Sequence, residues 1–236
     1  MQCVDETGST NADLIASARA GALPGTVLVA DHQTAGRGRL GRRWQALAGS
    51  SLLASMLFHA DGAEGLHRYT QAVALAAAEA CRDVAGVTAS LKWPNDLLVR
   101  DRKVAGVLAE SAPLPSGAIA VVVGIGLNIT WRSPLPGDLV ETMTALNLEA
   151  GRDIERDDVL RSLLGRLELE PPADLHDRYR AALGTLGRQV RIEQVSDTFE
   201  GLAVDVRADG RLVVRTHTGD REVMTGDVVH LRNALA

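Results

Sequence analysis

After Gly184 the chain changes texture, and that change limits the folds open to it. Across 188–231 apolar and polar residues alternate in short runs, at 190–192, 200–206, 212–216, 222–223 and 228–231. Turn signals separate the runs at Asp209-Gly210, Gly219-Asp220 and Gly226-Asp227. Period-two alternation punctuated in this way predicts a small all-β barrel of roughly fifty residues. Upstream, apolar strands alternate with helical periodicity. The boundary therefore falls near residue 185 and gives two modules, 1–184 and 185–236. A chain of 236 residues is long enough for one sizeable core and a small second module.

Within the first module, 12–20 reads as a helix, with Ser9, Thr10 or Asn11 to cap it and Gly21 to end it. Residues 26–30 and 51–58 read as buried strands, and 65–84 as a long helix stopped by Gly86. Strands follow at 90–93, 96–100 and 104–110, the last two joined as a hairpin at Asp101-Arg102. A long apolar strand spans 118–128. Helices follow at 157–167 and, after Pro171-Pro172, at 173–183.

Two stretches do not fit as scaffold. Gly36-Arg37-Gly38-Arg39-Leu40-Gly41-Arg42 holds three glycines and three arginines, and from Gln33 to Trp44 there are four arginines and no acid. Glycine lets backbone approach a ligand, and arginine offers forked donors to carboxylate or phosphate. Such a loop can close over an anion and is expected to be mobile when empty. The bland alternative is a solvated turn or a nucleic-acid patch. The net charge of −5 argues against a general nucleic-acid binder.

The second stretch is Lys92-Trp93-Pro94-Asn95-Asp96, set into an apolar strand pattern. A proline there breaks the ladder and leaves Lys92, Asn95 and Asp96 at the edge of a buried sheet. Lys92 and Asp96 could simply form an internal ion pair. The sharper possibility is that Lys92 meets a phosphate while Asn95 and Asp96 hold a nucleotide or a metal. Lys103 comes back beside this cluster through the hairpin, and Gly124-Ile125-Gly126-Leu127-Asn128 ends a strand with an amide. Trp44, Trp93 and Trp131 each sit beside a motif, as apt to plug the core as to touch a ligand. Two lysines, a cationic loop and an Asn/Asp pair suit attack of a bound carboxylate on the α-phosphate of ATP, catalysed by positioning and charge stabilisation.

The two cysteines lie far apart, and the six histidines fall in no ligand spacing, so no protein-ligated transition metal is expected. No 18-residue apolar run and no leader are visible, which predicts a cytoplasmic protein that neither crosses nor anchors to a membrane.

These motifs, in this order and spacing, resemble the biotin–protein ligases (biotin–[acetyl-CoA carboxylase] ligases). The matching text is Ser9-Thr10-Asn11, 33–42, 92–96, 101–106, 124–128 and Gly226-Asp227-Val228-Val229-His230-Leu231-Arg232. The resemblance implies an α+β fold: a mixed β-sheet catalytic domain packed with helices, then a small SH3-like β-barrel. It implies that Ser9, Thr10, Asn11 and Gln33 surround the biotin ureido ring and that Arg37, Gly38 and Arg39 close over biotin and the adenylate. Lys103 would meet the biotin carboxylate and the reacting phosphate. Arg39, Arg42, Trp44, Asn95 and Asn128 would bind the nucleotide, with Lys92 and Asp96 supporting phosphate and Mg²⁺. The implied reaction makes biotinyl-5′-AMP and pyrophosphate from biotin and ATP. Biotin then passes to one lysine of a carboxylase's biotin carboxyl carrier domain.

Some members carry an N-terminal helix-turn-helix domain and repress transcription. Ser9 lies so near the start that a form without operator binding is expected, hence no DNA partner. Leu40 stands where some members have another arginine. A lipoate or octanoate ligase, a nucleic-acid-binding regulator and an inactive biotin sensor are the competing readings. A homodimer through an exposed sheet edge stays open.

Overall fold

The computed structural model describes residues 1–132 and 137–231. Arg232 of the matching C-terminal text and residues 233–236, the end of the expected second module, lie outside the described residues. The first sheet has seven strands: β1 (Gln2–Thr7), β2 (Val27–Gln33), β3 (Ser51–Ala60), β4 (Ser90–Lys92), β5 (Asp96–Val99), β6 (Arg102–Pro113) and β7 (Ile119–Asn128). Their order across the sheet is β1-β2-β3-β7-β6-β5-β4. The β1–β2 pair is parallel and the other neighbours are antiparallel, so the sheet is mixed.

Side chains alternate across the faces of this sheet, which separates a core from a site. On one face Val27, Val29, Leu52, Ala54, Met56, Val121, Val123 and Ile125 pack into the main core. The helices α2 (His67–Ala85), α5 (Arg156–Leu164) and α6 (Leu175–Ala182) cover that face, burying Val73, Ala77, Val159, Leu163 and Tyr179. On the other face α1 (Thr10–Arg19) lays Leu14 and Ala18 against Leu28, Leu57, Ala120 and Val122. Each leucine sealed in this way contributes about 2 kcal/mol. Further along the same face the sheet carries Ser55, Gly106, Gly124 and Gly126, with Ser55 opposite Gly124 and Gly106 opposite Gly126. Small residues there leave a hollow beside the α1 N-terminus.

The second sheet is antiparallel, ordered β11-β10-β9-β8-β12, from β8 (Gln189–Glu193), β9 (Thr198–Val206), β10 (Leu212–Thr216), β11 (Gly219–Val223) and β12 (Asp227–His230). A separate all-β C-terminal sheet after a helix-packed mixed sheet is the expected architecture. The β5–β6 hairpin is also present, with its positive-φ turn at Arg100 and Asp101, one residue earlier than the spacing implies. β1 and the short helices α3 (Gly137–Thr142) and α4 (Leu146–Ala150) are additions to the sequence reading.

Candidate active site

A cavity of about 390 Å³ occupies the hollow. One end is uncharged. Ser9, Thr10 and Asn11, buried at the start of α1, meet Gln33 from the end of β2. Thr10 N–H and Oγ1 both donate to Gln33 Oε1, at 2.8 and 3.1 Å. Ser55 Oγ lies 2.7 Å from Thr10 Oγ1 and 2.6 Å from Asn11 Oδ1, and Asn11 Nδ2 donates to Leu108 O at 3.1 Å and Glu110 Oε2 at 2.9 Å. Apart from the Glu110 carboxylate behind Asn11, these are neutral donors and acceptors, and the ones that line the cavity suit a neutral polar head group.

The other end is cationic. The arginine loop is a small hairpin, closed by Gly38 N–H to Arg42 O at 2.8 Å and Trp44 N–H to Gly36 O at 3.0 Å. It turns at Leu40 and Gly41, both at positive φ. Arg37 pairs with Glu110 at 2.8 Å, and Arg42 pairs with Asp227 of β12. Arg39 donates to Gly226 O at 3.3 Å and Asn95 Oδ1 at 3.5 Å. Arg39 loses basicity through burial, against the pull of Asp227 and Asp96. Asn95 is fixed by Nδ2 to Val107 O at 2.8 Å.

Lys92 and Asp96 are opposite each other across the β4–β5 turn, but Asp96 takes its ion pair from Lys103, at 2.6 Å. The Lys92–Asp96 pair is therefore not the one that forms. Burial pushes Lys92 below the ordinary lysine value; Asp96 opposes that, and Lys103 adds to it. Lys103 Nζ also sits 5.5 Å from the Trp44 ring centroid. Gly126 is needed beneath that ring, because a Cβ there would overlap the indole. A Cβ on Gly124 would likewise overlap Asn11 Oδ1. The close approach that a strand glycine signals is thus that of Trp44 and Asn11.

Ser9, Thr10, Asn11, Gln33, Arg37, Gly38, Arg39, Arg42, Trp44, Lys92, Asn95, Asp96 and Lys103 all line the cavity. Asn128 does not. It is buried behind the wall, donating through Nδ2 to Thr144 O at 3.0 Å and accepting from Ser51 Oγ at 3.3 Å. Trp93 lines the cavity, whereas Trp131 is tied to Asn147 away from it. Sequence reasoning missed Ser55, Glu110 and Asp227 as site partners. Ser55 had a signal, being polar within an apolar strand, and Glu110 continues the Gly106, Leu108 face of β6. Asp227 meets Arg42 from 185 positions away, with no local signal.

Residues 5–128 match the family model described as Biotin/lipoate A/B protein ligase family, and 185–231 match Biotin protein ligase C terminal domain. The chain belongs to the biotin/lipoate protein ligase family. It is 38% identical over 252 residues to a biotin–[acetyl-CoA-carboxylase] ligase of Mycobacterium tuberculosis, covering 98% of this chain and 89% of that protein. A biotin–[acetyl-CoA-carboxylase] ligase of Paracoccus denitrificans is 30% identical over 94% of this chain and 97% of its own. Among solved structures, biotin protein ligase from Aquifex aeolicus in complex with biotin and ATP superimposes with a TM-score of 0.81, at 28% identity and 98% coverage of each chain. Among the described residues no helix is long and apolar enough to cross a membrane.

Proposed function

We propose that the cavity joins biotin to ATP as biotinyl-5′-AMP and then delivers the biotin to a lysine of a carboxylase's biotin carboxyl carrier domain. The observation that carries this is the pairing of a neutral polar end with a cationic end in one cavity, on residues that the ligase family model spans. Ser9, Thr10, Asn11 and Gln33 hold the ureido ring. Arg37, Gly38 and Arg39 cover the vitamin and the adenylate. Arg39, Arg42, Trp44 and Asn95 take the nucleotide, and Asn128 supports that end from behind the wall.

In the first step a biotin carboxylate oxygen attacks the α-phosphorus. The new C–O–P bond forms, the bond to the β-phosphate breaks, and pyrophosphate leaves. Negative charge builds on the phosphoryl oxygens, where Lys103, Arg37 and Lys92 offer fixed cations. In the second step the neutral amine of the acceptor lysine attacks the acyl carbon. The amide C–N bond forms, the acyl C–O bond to the phosphate breaks, AMP leaves, and the amine proton passes to the departing phosphate or to water. Between steps the mixed anhydride needs shielding from water, which the arginine loop supplies.

Mg²⁺ fits this site as an ion carried on the nucleotide, since such ions keep one or two carboxylates plus substrate phosphates. Asp96 is the carboxylate beside Lys103 and would serve as its protein oxygen. The ion would screen the phosphate charge. The two unpaired cysteines fit a reducing cytoplasm. Exposed β1, at the sheet edge, is where a second copy could pair.

Biotin-dependent ATP–pyrophosphate exchange, with lipoate as the parallel acid, tests the assignment. Exchange with biotin alone is expected. Exchange with lipoate alone would move the site to the lipoate branch of the family, and none with either acid would overturn adenylation.

A further inference from the structure

Outside the cavity, the Glu149 carboxylate of α4 is only 2% exposed. A buried carboxylate is costly unless its oxygens are occupied. Glu149 Oε1 takes Arg102 at 2.6 Å and the Thr144 hydroxyl at 2.6 Å, while Arg100 lies 3.5 Å from Oε2. Arg102 immediately precedes Lys103 on β6, so a grip on Arg102 from behind the wall leaves the next side chain free to face the cavity.

Thr144 supplies a second hold. It is fully buried, and its N–H donates to the Lys103 carbonyl at 2.9 Å. Its own carbonyl accepts from Asn128 Nδ2 at 3.0 Å. Lys103 is thus fixed through its carbonyl and through its neighbour's guanidinium, and the Glu149 carboxylate closes both routes. We infer that Glu149, with Thr144 and Asn128 behind the cavity wall, is a positioning residue that sets Lys103 against Asp96 and the reacting phosphate. The inference rests on the adenylation role given to Lys103 above.

A double-mutant cycle on pyrophosphate exchange tests it. Glu149→Gln is expected to lower kcat about tenfold, a smaller loss than the roughly 100-fold that follows removal of a stabilising donor itself. KM for biotin is expected to change less than kcat, because the neutral end that holds the ureido ring is untouched. In the Lys103→Ala background the same change is expected to cost nothing further. Thr144→Val, which removes only the hydroxyl link, is expected to behave likewise with a smaller loss, and Thr144→Ser to restore wild-type kcat. Equal losses from Glu149→Gln and Thr144→Val with and without Lys103 would overturn the positioning role. If Glu149→Gln melts below the assay temperature, the Thr144→Val cycle alone decides between the two outcomes. Wild-type protein with no biotin-dependent exchange would instead overturn the adenylation reading itself.

Discussion

Single residues carry the chemistry through what holds them. Lys103 is poised by Asp96 and Trp44 at the cationic end. Lys103→Ala is expected to slow biotin-dependent pyrophosphate exchange about 100-fold, the loss typical of one stabilising donor; an unchanged rate would remove the lysine from the reacting phosphate. Gly126 lies under the Trp44 indole with no room for a methyl group. Gly126→Ala is expected to raise KM for ATP and to cost about 1–3 kcal/mol in thermal unfolding, as overpacking does. Residue types and spacing made most of the cavity legible, because charge and glycine in an apolar strand pattern have few other uses. The partners were not legible. Asp227 reaches Arg42 only where the C-terminal sheet meets the arginine loop, and Asn128 lies next to the cavity motifs in sequence yet turns its amide to Thr144.

At the scale of elements, the proposed function runs through the arginine loop and the β4–β5 turn. The loop is closed by its own backbone hydrogen bonds and tethered by Arg37 to Glu110 and by Arg42 to Asp227. Arg37→Ala removes one tether and one cation. Biotinyl-AMP is then expected to dissociate faster, measurable by trapping labelled adenylate on the protein over time; retention equal to wild type would contradict the shielding role. The β4–β5 turn is pinned by Trp93 Nε1–H to Gly210 O at 2.9 Å. Trp93→Phe is expected to cost at least about 1 kcal/mol in urea unfolding, the net worth of one such bond, and more if the smaller ring leaves a gap. Buried elements such as β3, α2 and β7 were readable because burial on both faces demands continuous apolar runs in the two strands and a helical apolar spacing in α2. β1 was not, because Gln2–Glu6 are all exposed and no face imposes a pattern. The five- and six-residue helices α4 and α3 are too short for a helical period to show.

At the scale of the molecule, the C-terminal sheet builds part of the site. Asp227 and Gly226 hold the arginine loop, and Asp101 of the hairpin tip pairs with Arg188 at 2.6 Å. Thr185 Oγ1 accepts from Trp93 N–H at 3.0 Å and lies 3.1 Å from His230 Nε2. Burial, then Lys92 and Arg188, lower His230 to about 4 from its ordinary 6.5, so the folded protein prefers the neutral ring. The unfolded chain therefore binds the extra proton first. This contribution to stability is whole above pH 6.5 and is lost as pH falls through about 4. Thermal melts from pH 8 to pH 4 are expected to drop less steeply for His230→Asn than for wild type in that window; equal slopes would remove His230 as a source of acid sensitivity. The proposed function requires one cavity to make and keep an adenylate and then to hand over its acyl group. The most direct test incubates the protein with labelled biotin and ATP, removes free ligand, and adds apo carrier domain without ATP. Label moving to the carrier lysine is the expected result. Label that never stays with the protein, or stays and never transfers, would contradict the two-step reaction in one cavity.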